Sequence, residues 1–318
     1  MIVVLSGGTG GAKFVDGLRR VVPAEDLTII VNTGDDHDWW GLHVSPDIDS
    51  ILYMLAGIVS AERGWGVSGD TFHCLQTMTA LGEPNWFSVG DRDLATHLLR
   101  TRLLSEVHSL TEATRIITNK LGVGARVLPM SDQKVETLVH TPAGELSFQE
   151  FFVKRRYQVE VDSVRFAGAM DAKPAPGTLE AIAAADAILI APSNPITSIG
   201  PILAVPGIRE ALSKAEAKVA GVSPIIGTQA VSGPAAALMA SQNLPPSIAG
   251  VAAYYADFLD TLIVDNSDAE ASGRPPMQSI HCLATHILMR TDDDRQRIAR
   301  TALKAAMSQS HTSMEKAS

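Results

Sequence analysis

The sequence predicts a doubly wound, mainly parallel α/β fold of the Rossmann-like kind, with a smaller antiparallel subdomain inserted in it. Three observations carry that expectation. Short apolar runs rich in Val and Ile alternate with helix-period segments, each run ends in a polar or Gly/Pro loop, and one interior stretch switches to period-two alternation. The runs are Ile2 to Leu5, Leu27 to Val31, Ala187 to Ala191 and Val219 to Val222, and the helical patterns include Phe14 to Val21, Ile48 to Ile58, Leu94 to Leu104 and Thr178 to Ala185. Alternating segments at Lys134 to Thr141 and Glu145 to Phe152 flank the turn Pro142-Ala143-Gly144. The expected division is a Rossmann-like core over 1–125 and 167–307, an antiparallel subdomain or lid over 126–166, and a polar, disordered tail over 308–318.

Composition narrows the class. The 318 residues, 46% of them hydrophobic, supply one large core or two smaller ones. A net charge of −9 without a basic run excludes the electrostatic footprint of a nucleic-acid binder, so an anionic ligand has to be held by local N–H groups, a few cations or a metal. Cys74 and Cys282 are the only cysteines, which excludes a disulfide scaffold or a cysteine zinc cluster and fits a reducing cytoplasm. The N-terminus opens on a strand without a basic n-region, and no uncharged apolar stretch is long enough to span a bilayer. The expectation is a soluble cytoplasmic protein with no membrane partner.

The first strand runs straight into Ser6-Gly7-Gly8-Thr9-Gly10-Gly11-Ala12-Lys13. Glycines let the backbone turn tightly and bring bare N–H groups against an anion, and the helix expected from Ala12 adds its positive end. Gly8, Thr9, Gly10, Gly11 and Lys13 are therefore candidate phosphate- or nucleotide-binding residues. The loop does not name its ligand. A dinucleotide G-x-G-x-x-G read from Gly8 needs Gly at 13 and finds Lys13, while a Walker A loop needs Gly-Lys followed by Ser or Thr and finds Ala12-Lys13-Phe14. A tight strand-to-helix connection is the structural alternative.

After the second strand comes Asn32-Thr33-Gly34-Asp35-Asp36-His37-Asp38. One acid here would hold a ribose diol in a dinucleotide fold, but three carboxylates in four positions exceed that need and suit Mg²⁺ beside substrate phosphates. Asp35, Asp36 and Asp47 are the candidate metal ligands, with a solvated acidic loop as the alternative. In Ser45-Pro46-Asp47-Ile48-Asp49, Ser45 reads as an N-cap and Pro46 as the first helical residue. Residues two apart on a helix do not share a face, so Asp47 and Asp49 are not expected to enter one pocket. Gly90-Asp91-Arg92-Asp93 opens another helix, and Arg92 there offers a cation to phosphate.

Two later loops look like the opposite wall. Ser193, Asn194, Thr197 and Ser198 lie in the loop Pro192 to Pro201, and Ser223 and Gly227 lie in Ser223-Pro224-Ile225-Ile226-Gly227, with Val231-Ser232-Gly233-Pro234 opening the next helix. These proline-stiffened loops supply neutral donors and acceptors, as a nucleoside base and sugar require. His37, His43, His73 and His97 show no zinc-site spacing and receive no role.

Taken in order, Ser6 to Lys13, Asn32 to Asp36, Ser45 to Asp49, Gly90 to Asp93, Leu128-Pro129-Met130-Ser131-Asp132, Pro192 to Pro201 and Ser223 to Gly227 closely resemble the 2-phospho-L-lactate transferase family of coenzyme F420 biosynthesis, from Met1 to about Met289. The resemblance implies a donor that is a guanosine-diphosphate-activated three-carbon acid and an acceptor that is the deazaflavin FO. Its phosphoryl-acid unit would pass to the terminal ribityl hydroxyl, releasing GMP. It also implies that Asp49 and Arg92, with Asp47, meet FO, that Asp35 and Asp36 lie near the reacting phosphate, and that the protein is a homodimer. Positioning and charge neutralisation dominate such chemistry, so the catalytic candidates are Asp49, Asp36 and Arg92, with Asp49 or Asp36 taking the hydroxyl proton. Trp39-Trp40 either stacks on the deazaflavin or packs its own loop, with packing favoured. Two competing classes are an NAD(P)-dependent oxidoreductase and a non-catalytic nucleotide-sugar-binding regulator of the gluconeogenesis-factor type. The sequence does not choose among phospholactate, phosphoenolpyruvate and 3-phosphoglycerate derivatives.

Overall fold

The computed structural model describes residues 1–271 and 280–307; the expected tail at 308–318 lies outside the described residues. In chain order, β1 (Ile2–Ser6) and α1 (Gly8–Arg19) precede β2 (Leu27–Val31), the hairpin β3 (His37–Trp39) and β4 (Leu42–Val44), and α2 (Pro46–Leu55). Then come α3 (His73–Ala80), α4 (Asp91–Ser105), α5 (Leu110–Lys120) and β5 (Arg126–Pro129), followed by β6 (Glu136–Thr141), β7 (Gly144–Ser147) and β8 (Ser163–Ala167). The second half holds α6 (Thr178–Ala183), β9 (Ala187–Ile190), α7 (Gly200–Ala204), α8 (Ile208–Lys214) and β10 (Val219–Val222). It closes with β11 (Ile225–Ile226), β12 (Gln229–Ala230), α9 (Ala235–Ser241), α10 (Ile248–Tyr254), β13 (Thr261–Asp265), β14 (His281–Thr285) and α11 (Asp292–Met307).

Seven strands form one sheet in the order β14-β13-β10-β9-β1-β2-β5, every pair parallel. Successive side chains leave a strand on opposite faces, and here both faces are covered, which is why the runs are apolar throughout rather than alternating. Val3, Leu5, Ile188 and Ile190 pack with side chains of α6 to α10, whereas Val4, Ile29, Val31 and Leu189 pack with α1, α2, α5 and α11. From β1 the chain builds outward through β2 and β5, then returns to place β9 on the other side of β1. The order reverses between β1 and β9, so the crevice beyond their carboxyl ends is where this topology binds ligands.

The antiparallel unit is real but its boundaries differ from expectation. Arg126–Pro129 pairs in parallel with β2, so these residues belong to the large sheet rather than to a subdomain beginning at 126. The antiparallel sheet β7-β6-β8 runs from Glu136 to Ala167. The segment expected as a strand to Phe152 ends at Ser147, because Glu150–Lys154 turns into a helical coil that buries Phe151 completely. Thr137 N donates to the Gly34 carbonyl at 2.7 Å and Gln149 Nε2 to the Asp35 carbonyl at 3.1 Å, so the inserted unit is docked on the acidic loop after β2. Among the described residues, no helix is long and apolar enough to cross a membrane.

Candidate active site

At the crevice, β1 hands over to α1 through Gly7, which is extended at φ −163° and offers no side-chain cap. The first turn of α1 therefore presents backbone N–H groups without intrahelical partners. Gly8 sits at φ +67°, a left-handed conformation suited to glycine. A Cβ on Gly10 would come within 2.9 Å of the Pro192 carbonyl oxygen, so glycine is what lets α1 approach the loop after β9. The two loops are stitched by Ser193, whose Oγ donates to Gly7 O at 2.7 Å and accepts from Gly7 N at 3.2 Å. Asn194 Oδ1 accepts from the N–H groups of Ile196 (3.0 Å) and Thr197 (3.4 Å), capping the following turn.

Beside this anion cradle lie the acids. Asn32, fully buried at the end of β2, donates through Nδ2 to Asp47 Oδ2 at 2.9 Å and to Thr197 O at 3.2 Å, and its Oδ1 accepts from Gly34 N at 2.8 Å. One side chain thus ties the acidic loop, the start of α2 and the β9 loop together. Burial pushes the Asp47 carboxyl up to about 6, against hydrogen bonds from Asn32 and the Gly8 backbone. Asp35 is raised well above the usual carboxylate range, by burial first and then by the charge of Asp47, and its Oδ1 is buried without a hydrogen-bond partner. Burial and the charge of Asp47 thus leave Asp35 a carboxylate with one oxygen unpartnered, the kind of group a hard cation would satisfy. Asp36 is tied down through one oxygen: its Oδ2 accepts from Ser45 Oγ at 2.6 Å and meets His43 Nε2 at 3.0 Å, its Oδ1 is, like that of Asp35, buried without a partner, and burial raises its carboxyl too. Ser45 is the N-cap residue of α2 by position, yet its hydroxyl is spent on Asp36 rather than on a helix N–H.

At the other end stands a second charged cluster. Arg100, with no exposed surface, forks onto Asp49, NH1 to Oδ2 at 3.0 Å and NH2 to Oδ1. Tyr53 donates to Asp93 Oδ1 at 2.7 Å, and His97 lies between, Nδ1 3.6 Å from Asp49 Oδ2 and Nε2 3.4 Å from Asp93 Oδ1. Asp49, Asp93 and His97 each place one ligand atom within 4.8 Å of the others, a group able to hold a metal ion.

Both ends open into one cavity of about 440 Å³. Its wall includes Gly8, Thr9, Gly10, Asp35, Asp47, Asp49, Asp93, His97, Ser193, Asn194, Thr197 and Ser198, and neither lysine nor arginine lines it among the described residues. Trp65, Phe87, Phe148 and Phe152 supply aromatic wall. Asp47 and Asp49 both line it, against the expectation from helix geometry. The cavity wraps the first turn of α2, with Asp47 held on the Asn32 side and Asp49 on the Arg100 side.

Several expected residues stand elsewhere. Gly11 is buried against Ser6 and Ser193, and Lys13, half-buried on α1, is off the wall. Ser223 Oγ closes a local turn with Ile225, and Gly227 N donates to the Asp268 carboxylate, so Pro224 and Val231 to Ala235 line that side instead. Arg92 is exposed and donates to Ser68 O at 3.1 Å, steadying the segment that carries Trp65. Trp39 packs against Trp40, Trp86 and Phe87, as a loop core. Sequence reasoning passed over Asn32, Tyr53, His97 and Arg100. The signal for two of them was present: Asp93, His97 and Arg100 follow the i, i+4, i+7 spacing of one helix face.

The model of the 2-phospho-L-lactate transferase CofD family matches residues 2–306. The chain belongs to that family. It is accordingly an enzyme of the 2-phospho-L-lactate transferase type, which leaves the oxidoreductase and regulator readings without support. Among curated relatives, the phosphoenolpyruvate transferase of Streptomyces griseus is 44% identical over 311 residues, covering 96% of this chain and 98% of that protein. The 2-phospho-L-lactate transferase of Methanothermobacter thermautotrophicus is 45% identical over 273 residues, covering 86% and 87%. Among solved structures, protein BH3568 of Bacillus halodurans superposes with a TM-score of 0.66 at 19% identity, covering 95% and 98%, a likeness of fold.

Proposed function

We propose that this CofD-family enzyme joins a guanosine-diphosphate-activated three-carbon acid to the ribityl hydroxyl of FO and releases GMP. The observation that carries the reading is one cavity with two unlike ends: a helix N-terminus beside paired carboxylates, and an acid held by a buried arginine among aromatic walls. The attacking oxygen forms a bond to the phosphorus that bears the acid, the bond from that phosphorus to the bridging oxygen breaks, and GMP departs with the bridging oxygen. The hydroxyl proton goes to Asp49, whose carboxylate faces the cavity.

The donor's diphosphate lies on the N–H groups of Thr9 and Gly10, and its guanosine runs along Ser193, Asn194, Thr197 and Ser198. Asp35 and Asp47 would hold Mg²⁺, with Asp36 fixed behind them by Ser45 and His43; when bound, the ion offsets the phosphate charge that a wall without lysine or arginine leaves uncompensated. Asp49, Asp93 and His97 suit an organic acceptor better than a cation, because Arg100 already satisfies Asp49 and Tyr53 already satisfies Asp93. FO lies against Trp65, Phe87, Phe148 and Phe152 with its ribityl chain toward Asp47 and Asp49. The test is mass spectrometry of the product after offering FO with the lactyl, enolpyruvyl and glyceryl donors in turn, in Mg²⁺. FO-dependent GMP release together with an FO adduct carrying the phospho-acid is expected; GMP release without FO, or none, overturns the reading.

A further inference from the structure

The side chain that fixes Asp49 is itself outside the cavity wall. Arg100 comes from the interior face of α4, two turns from its N-terminus, and is fully buried, whereas Asp49 comes from the first turn of α2 and lines the cavity. The guanidinium engages both carboxylate oxygens, one per N–H arm. A fork of this kind sets the plane of the carboxylate as well as neutralising it, which a lysine ammonium does not do. Each Asp49 oxygen keeps a second acceptor position beyond the fork, and Asp49 lines the cavity. The same arm comes within 3.5 Å of His97 Nδ1, and His97 Nε2 lies 3.4 Å from Asp93 Oδ1. Arg100, His97 and Asp93 thus share one face of α4, and Arg100 aims the acid that the other two flank.

We propose that Arg100 is a positioning residue of the transfer reaction: it touches neither substrate, and acts by holding the Asp49 carboxylate in the plane that receives the acceptor hydroxyl. This rests on the proposed function, in which FO occupies the Asp49 end of the cavity. The consequence is a division of labour. Among the described residues, Arg100's hydrogen bonds go to Asp49 and His97 and none reaches Asn32, Ser193 or the α1 N-terminus that build the nucleotide end, so disturbing Arg100 should alter turnover far more than donor binding.

The test uses the full-length protein and three variants: Arg100→Lys, Arg100→Met and the double variant Arg100→Met/Asp49→Asn. Steady-state kcat, donor KM, GDP affinity and thermal melting are measured for each. Arg100→Lys keeps the charge and loses the fork, so kcat should fall tenfold or more, since misplacing a reacting group by about 1 Å costs up to about 100-fold. GDP affinity and donor KM should stay within twofold. A fall in kcat of less than tenfold overturns the proposal, as does a parallel loss of kcat and GDP affinity, which marks a merely structural residue. Melting tests the pairing independently of activity. Arg100→Met strands the Asp49 charge, so the double variant should melt above the single one; a double variant that melts no higher shows that Arg100 serves something other than Asp49 and overturns the proposal. Absence of transfer by the wild type would fail the reading of the reaction, while the melting order still judges the Arg100 to Asp49 link.

Discussion

Replacing Asn32 by alanine should loosen three segments at once. Asn32 is fully buried and makes one hydrogen bond to a carboxylate, one to a carbonyl and one from a backbone N–H. A bond to a charged group contributes about 1.5–3 kcal/mol and each neutral bond about 1, so Asn32→Ala should cost about 4 kcal/mol. At about 2.1 cal/mol/K per residue, unfolding 318 residues carries an entropy near 0.67 kcal/mol/K, so the loss corresponds to a Tm lowered by about 6 °C. Differential scanning calorimetry at pH 7.5 without nucleotide measures it. GDP binding should weaken in parallel, because Thr197 and the Asp47 end of α2 lose their common anchor. Asn32→Asp sharpens the test: it keeps an acceptor for Gly34 N but sets a third carboxylate beside Asp35 and Asp47, so its Tm deficit should be larger at pH 8 than at pH 5. A Tm drop below 2 °C for Asn32→Ala, or an aspartate variant as stable as wild type at pH 8, refutes the reasoning.

Other expectations follow from the same geometry. EDTA should abolish turnover and Mg²⁺ restore it, and Asp35→Asn should raise the Mg²⁺ concentration needed for half-maximal rate; full activity in chelator would show that the acids serve another purpose. Asp47, raised to about 6 in the folded protein against about 4 unfolded, retains a proton between those values that the unfolded chain has released, so its contribution to stability falls as pH rises from about 4 through about 6. Metal-free Asp47→Asn should therefore melt above wild type at pH 7.5 and lack that slope while losing activity; equal melting curves at pH 7.5 would contradict the assignment. Gly10→Ala pushes a methyl to 2.9 Å from Pro192 O, and should weaken GDP binding at a stability cost of about 1–3 kcal/mol, read by calorimetry. Arg92→Lys, at an exposed residue tied to Ser68 O, should alter acceptor KM far less than Asp49→Asn lowers kcat; equal damage would place Arg92 on the acceptor itself.

The parts of this fold that sequence makes legible are those set by local rules. Apolar four- and five-residue runs bounded by loops located β1, β2, β9 and β10, because a strand buried on both faces has no polar positions to hide its pattern. The runs read from the sequence include neither β13 nor β14, and the expected inserted unit takes in β5. β5 is four residues with an exposed Arg126 at one end, and only its pairing with β2 assigns it to the large sheet. At the site, the glycine turn and acidic loop were readable because backbone N–H presentation and carboxylate clustering are written in consecutive residues. Ser223 and Gly227 follow the same logic but lie off the cavity wall, since a loop after a strand also has to satisfy its own backbone, and Asp268 and the Ser223 hydroxyl do that here. The acceptor end was least legible. Arg100 lies 51 residues from Asp49 in sequence, and an arginine in a helix reads as surface until the fold buries it.

The central claim is that one cavity joins an activated phospho-acid to FO. Its most direct measurement is mass spectrometry of the reaction of wild-type enzyme with FO, each of the three guanosine-diphosphate-activated acids and Mg²⁺, alongside quantified GMP. The expected result is an FO adduct carrying the phospho-acid, formed in equal amount to GMP with at least one donor. Equal recovery of unmodified FO with all three donors, from protein that binds GDP and Mg²⁺, would contradict it.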